Sequence, residues 1–517
     1  MTFVAQLRPW LKESSATERA MTAVATAVVM ALLAWALVPA PAEGPAGLLN
    51  AGSGAEAGVA LDGGAAGATD AGGSARTGAI LPGARSTVTD GRSAGRGAPS
   101  GSAPTDRLTT TDRGVSAEAI KVGFAVVNFE SANRLGIYPD LREDASEAID
   151  AFVDYANKRG GVLGRRIQPV KVNPDLTNAE DQRRRCVELT ETHGVFAVVT
   201  SFAFSSETAT ACITAEHKTL LVSGNPGSSE NVRLGFPYHV SVLKDDNRKM
   251  KDLVAGAKAA GFFDPARGFE KLGIFGDDCG ASATIFDSPT DGLKAYLSAA
   301  GVKEWSEFRI DCAVAVSPHG SAQAVVKFQD DDVTHVLLAA HPPVAESYLK
   351  AAGSARYYPK YFSGDYLNLA AGPFTKTYEP EGFDGALGVT QTHAGEGAIG
   401  KPLPPLTRTC SKILTDHRLA PVSSASPNDI GDDLEILSLC ESFLLFLQVA
   451  TAAGPDLTRA TWVNALAGVG DYRGAFTDLA RFDRPGKMTG GDTMKLIKWH
   501  KSCTCWKELT GFQPAAG

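Results

Sequence analysis

The chain from about residue 116 onward predicts an α/β fold of two doubly wound lobes. Three observations carry that expectation. Short apolar runs alternate with amphipathic stretches along most of this length, which is enough chain for two cores. The runs are apolar throughout rather than at every second residue, as expected of parallel strands covered by helices on both faces. The alternation also comes in two successive series, and two packed α/β layers are the economical way to bury both.

In the first series the strands are 120–128 (IKVGFAVVN), 166–173, 195–200 (VFAVVT) and 219–223 (TLLVS). Helices are expected between them at 144–160, 178–193 and 206–217. The second series reads as strand 271–276 (KLGIFG), helix 289–300, strand 305–311, helix 319–329, strand 334–340 (THVLLAA), helix 343–353 and strand 359–364. A long helix over 432–453 then stops at Gly454-Pro455, residues that end helices because one adopts left-handed backbone freely and the other cannot donate.

The N-terminal part has a different character. Residues 1–19 carry Arg8, Lys12 and Arg19, and 20–38 then run without a charge, about 29 Å as a helix. The basic flank predicts a cytoplasmic N-terminus and an exported remainder. Residues 20–40 read either as a transmembrane anchor or as a signal segment, with Ala40-Pro41-Ala42 as a small-residue cleavage site. No Cys precedes Cys186, which excludes lipid attachment just after this segment. Residues 41–115 contain no Phe, Trp, Tyr, Met, Cys, Lys or His. They lack the side chains that offset ordering entropy, so a disordered linker is expected, serving as a stalk of roughly 50 Å span or as a spacer of no set length.

Composition narrows the function. With 50 Lys and Arg against 58 Asp and Glu, the net charge of -8 gives no electrostatic reason to bind nucleic acid. No nucleophile elbow, zinc-protease helix, phosphate loop or dinucleotide fingerprint is present. Asp277 and Asp278 with Asp365 are the only grounds for a hydrolase reading, and nothing in the sequence sets their separation.

Several local motifs are more specific: IKVGF, EAIDAFVDYANKRGGVLGRRI, VVTSFAFSSETAT, LLVSGNPGSSE, FPYHVSVLKDDN, YFSGDY, and GAFTDLARFDRPGKM leading into LIKWH. In this order they resemble the type I periplasmic solute-binding proteins of ABC transporters, in particular the branch that binds leucine, isoleucine and valine, amides or urea. The resemblance implies two Rossmann-like lobes joined by crossing hinge strands. The N-terminal lobe would comprise 116–240 plus about 395–470, and the C-terminal lobe 241–394 plus about 471–510. It also implies closure on a small-molecule solute, an amino acid or related amide or carboxylate, and delivery to an ABC transporter permease, with no cofactor and no metal. A ligand-binding ectodomain of a membrane-associated sensor is the alternative; against it, only about 19 residues precede the apolar segment.

By the same resemblance Ser205, Ser206, Asn225 and Ser228 grip the solute from the first lobe. Asp365 pairs with its ammonium from the second, and His341 stands where relatives often place an aromatic side chain. Asp278 is a further candidate, and Phe202 and Phe204 would add an apolar wall. Most also have a plainer role: Ser205 and Ser228 as helix N-caps, the aspartates as strand-end turn residues, the histidine as a loop residue before Pro342-Pro343. The sequence departs from the family after Pro237-Tyr238, where His239-Val240-Ser241 stand in place of a following Arg, which weakens the inference of an amino-acid ligand.

Eight cysteines in an exported chain favour disulfides. Cys186 with Cys212 resembles a bridge common in the family. Local topology suggests Cys279 with Cys312 and Cys410 with Cys440, leaving Cys503 and Cys505. With His500 that last pair supplies at most three metal ligands, one short of a tetrahedral zinc site.

Overall fold

The computed structural model describes residues 108–128, 144–176, 178–204, 206–278, 282–311, 318–366, 378–422 and 433–516. The apolar segment at 20–40, the linker up to residue 107, Ser205, Cys279 and Cys312 lie outside the described residues.

The first lobe begins with β1 (Ala119–Ala125), α1 (Ala145–Lys158), β2 (Arg166–Val172), α2 (Ala179–Val187), β3 (Ala197–Thr200), α3 (Glu207–Ala211), β4 (Leu220–Ser223), α4 (Ser229–Gly235) and β5 (His239–Ser241). The strands form one parallel sheet in the order β2-β1-β3-β4-β5. The interior strands β3 (AVVT) and β4 (LLVS) are buried at every residue, the reason their sequences do not alternate. The edge strand β2 has three exposed residues and tolerates Pro169, whose missing N–H costs nothing at an edge. Local chemistry starts the helices. The Asn178, Ser206 and Ser228 side chains each accept a backbone N–H in the first turn of α2, α3 and α4 respectively.

The second lobe contains α5 (Asp246–Ala259), β6 (Leu272–Asp277), α6 (Ser282–Asp287), α7 (Leu293–Ala300), β7 (Trp305–Ile310), α8 (Pro318–Asp330), β8 (His335–Ala339), α9 (Pro342–Ser354), β9 (Lys360–Ser363), α10 (Pro380–Phe383) and β10 (Leu387–Thr390). The chain then returns to the first lobe through α11 (Pro405–Asp416), α12 (Leu434–Ala452), α13 (Arg459–Leu466), β11 (Gly470–Tyr472) and β12 (Ala480–Phe482). It ends in the second with β13 (Thr493–His500), β14 (Cys505–Glu508) and β15 (Gln513–Pro514). The second sheet runs β14-β13-β10-β9-β8-β6-β7, parallel except where β13 meets β10 and β14.

Alternation along β6 and β8 divides the second lobe's core between the two faces of its sheet. Phe275, Val336 and Leu338 pack with Tyr348, Phe383 and Trp499, whereas Ile274, Leu337 and Ala339 pack with Met250, Leu253 and Phe286. The first lobe's core joins β1, β3 and β4 to α12 through Phe124, Phe443 and Phe446. Among the described residues α12 is the one helix long and apolar enough to cross a membrane, and it is mostly buried in this core.

Two boundaries differ from expectation. The linker does not run to 115: Val115 is buried, and Asp112 holds both the backbone N–H and the guanidinium of Arg459, the latter at 2.6 Å. Composition misses this because specific hydrogen bonds, not apolar bulk, dock the segment. The first lobe also extends past residue 470, since Tyr472, Phe476, Phe482 and Met488 belong to its core. Three crossings join the lobes, at 242–245, 391–394 and 489–492. Between them Ser241 pairs with Thr489, Thr392 pairs with Thr477, and Lys244 N–H donates to Gln391 Oε1 at 3.2 Å.

Disulfides join Cys186 to Cys212, Cys410 to Cys440 and Cys503 to Cys505. The first two close loops of 26 and 30 residues and tie α2 to the end of α3 and α11 to α12. Loop-closure entropy assigns each about 3–4 kcal/mol, and about a third of that to the Cys503–Cys505 bridge, which closes a separation of 2.

Candidate ligand-binding cleft

In parallel α/β sheets the loops after the strands carry the ligand, because side chains and free backbone groups converge there. In this chain the loop after β4 meets the start of α5 from the other lobe. Lys249 Nζ, buried, donates to Asn225 Oδ1 at 3.2 Å and pairs with Asp246 at 2.9 Å. Asp246 N–H donates to Gly227 O at 2.8 Å, and Ser229 N–H donates to Asn247 Oδ1 at 3.0 Å. One helix N-terminus thus links the lobes beside the hinge.

The second lobe lines this region with acids. Asp277, fully buried at the end of β6, accepts the His341 backbone N–H at 2.6 Å and lies 2.9 Å from the His341 ring Nδ1. Asp365, 7% exposed after β9, accepts the Gln391 N–H at 2.6 Å. Burial pushes its carboxyl above the usual range, opposed by hydrogen bonds from Gln391 and Thr390 and by the Lys249 charge. Tyr366 is buried next to the His341 ring, and burial together with Asp277 and Asp246 raises its hydroxyl well above its ordinary value.

The sequence-derived candidates divide between this cluster and other roles. Asn225, His341 and Asp365 are the three that the cluster brings together. Ser206 caps α3, and Ser228 caps α4 while donating to Glu207 at 2.7 Å. Asp278 is half-exposed and pairs with Arg309 at 3.2 Å; its neighbour Asp277 is the residue that reaches His341. Phe204 is buried in the first core and Phe202 packs partly against it. His239 is buried in β5 against Ser223 Oγ at 3.1 Å, and burial pushes its pKa down to about 4.

Sequence reading missed Lys249, Asp246 and Gln391, and named Asp277 only as a carboxylate for hydrolysis. In DDNRKMKD the charges look like a solvated helix face, and only lobe docking buries them. It also missed Glu435. This residue, buried in the first turn of α12, accepts the Val127 N–H at 2.9 Å and faces Ser201 Oγ at 3.4 Å, beyond the ends of β1 and β3. Its second oxygen has no hydrogen-bond partner among the described residues, and burial raises its pKa to about 8. Close packing recurs at Gly224, where a Cβ would stand 1.7 Å from Ser438 Oγ of α12.

With two lobes, three crossings and a polar cluster between strand ends in place, comparison with known proteins becomes informative. A family profile described as periplasmic binding protein matches residues 131–503. The chain belongs to the periplasmic binding protein family. This binding protein is similar to an ABC transporter substrate-binding protein from Desulfitobacterium hafniense in complex with Leu, at 16% identity and a TM-score of 0.52, covering 76% of this chain and 100% of that one. A branched-chain amino acid ABC transporter protein from Thermus thermophilus with bound valine gives 12% identity and a TM-score of 0.57, covering 79% and 98%. A solute-binding protein of an ABC transporter from Rhodopseudomonas palustris BisB5, in complex with 3,4-dihydroxy benzoic acid, gives 12% and 0.55, covering 77% and 98%. At these identities the structures establish the shared fold. None of the curated proteins compared with the binding protein matches it. The family binds solutes without converting them, and it works outside the cytoplasm.

Proposed function

We propose that this binding protein captures an amino acid or a related small amide or carboxylate by lobe closure and delivers it to an ABC permease. The single observation that carries the reading is Asp365, a carboxylate buried beside the hinge with Gln391 on one oxygen and the Lys249 charge nearby. A buried carboxylate is costly unless a cation meets it, and a solute ammonium would do so on closure. Lys249 offers a solute carboxylate the matching positive charge. The amino-acid and aromatic-acid complexes of the similar structures support the same solute range.

A thermal-shift screen of the protein against leucine, valine, 3,4-dihydroxybenzoate, amides and urea tests the proposal. A solute at about 100 times its Kd adds about 2.7 kcal/mol, a rise of several degrees in Tm. Asp365→Asn is expected to abolish the shift for ammonium-bearing hits, and Lys249→Met to weaken carboxylate hits at least tenfold. Undiminished binding in both variants would overturn the assignment.

A further inference from the structure

The Cys503–Cys505 bridge differs in kind from the other two described disulfides. Cys186, Cys212, Cys410 and Cys440 are fully buried and tie separate helices together, whereas here Cys505 is buried but Cys503 is half-buried in the exposed turn Lys501–Thr504 between β13 and β14. That hairpin does not need the bond. His500 pairs with Cys505 in the ladder, and Cys503 N–H and Thr504 N–H close the turn onto His500 O and Lys501 O at 3.3 and 3.2 Å. A bridge across one intervening residue removes little entropy from the unfolded chain, so breaking it sacrifices little stability. The surroundings are basic: Lys498 and Lys507 face each other one ladder step beyond the Trp499–Trp506 pair, and both lower the His500 pKa after burial has done so. Lys501 is engaged by Glu381, and Asp384 opposes the basic field at His500. Positive charge of this kind favours thiolate over thiol.

We propose that Cys503–Cys505 is a thiol–disulfide exchange site whose co-substrate is a low-molecular-weight thiol. The thiolate of one thiol molecule attacks the accessible Cys503 Sγ, and the Sγ–Sγ bond breaks with its electron pair leaving on Cys505 Sγ, which takes up a proton. A second thiolate then attacks the mixed disulfide, releasing Cys503 as thiolate and the two thiols as one disulfide. Two thiols are oxidised and one cystine is reduced, with no further reactant.

The test uses the whole folded protein in graded ratios of reduced to oxidised dithiothreitol, quenched with iodoacetamide and read by peptide mass. Cys503 and Cys505 are expected to label at a ratio at least tenfold lower than Cys186, Cys212, Cys410 and Cys440, with circular dichroism unchanged. The wild type should also speed glutathione-dependent reduction of a small disulfide at least fivefold over a Cys503→Ser/Cys505→Ser variant whose Tm falls by no more than about 4 °C. Reduction of all the bridges together, or of this one only on unfolding, would overturn the proposal. So would a variant that matches the wild type in exchange or loses more than about 4 °C in Tm.

Discussion

Glu435 is a carboxyl whose folded pKa of about 8 stands above the ordinary 4.5 because burial disfavours its charge. A raised folded pKa means that the native state holds a proton the unfolded chain releases. The stability contributed is therefore full below about pH 4.5 and lost as pH rises through about 8. His239 acts oppositely: its folded pKa of about 4 gives stability that is full above pH 6.5 and lost as pH falls toward 4. Between pH 6.5 and 8.5 the Glu435 loss therefore dominates this pair and amounts to about 2 kcal/mol. Urea denaturation at the two pH values should show that fall, and Glu435→Gln should remove most of it; an unchanged slope in the variant would contradict the burial account. At this scale the sequence was legible only where chemistry is local. The capping by Ser228 follows from residue type and position, while α3 is capped by Ser206, one residue after the serine expected to do so. The choice between Asp277 and Asp278 needs the strand end, where one faces His341 and the other Arg309.

α12 shows what an element's sequence conceals. Its apolar length would suit a bilayer, yet it lies in the first core and carries Glu441, whose Oε2 accepts the backbone N–H groups of Ala475, Phe476 and Thr477 at 2.8–3.1 Å. One carboxylate thus pins the segment leading from β11 to β12. Glu441→Ala should cost about 2–4 kcal/mol in urea unfolding, because three buried donors lose their acceptor. A loss below about 0.5 kcal/mol would show that water or backbone rearrangement replaces it. Most strands and helices of the two series were readable from their apolar runs, with ends within a few residues. The helix expected at 289–300 begins only at Leu293, behind a separate α6. α5 was missed because its buried face includes Asp246, Asn247, Lys249 and Asp252, residues a sequence rule assigns to solvent.

For the whole molecule the decisive feature is that three chain crossings join two lobes, each with its own sheet. Gln391 sits among them, accepting from Lys244 N–H while its own N–H reaches Asp365, so the hinge and the proposed solute contact share one residue. Closure on a solute should reduce the radius of gyration in X-ray scattering for every compound that raises Tm. A stabilising compound that leaves the profile unchanged would argue against clamshell capture.

The apolar runs TLLVS and THVLLAA, the spacing of helices between them and the order of turn motifs determined by themselves that this chain builds two parallel-stranded lobes, because burying both faces of a strand demands such residues wherever it lies. Which polar side chains meet between the lobes was decided only by tertiary structure. Lys249, Asp246, Asp277 and Glu435 acquire their burial and partners from segments hundreds of residues apart in some cases, and a charged residue carries no mark in sequence of whether water or another lobe will surround it.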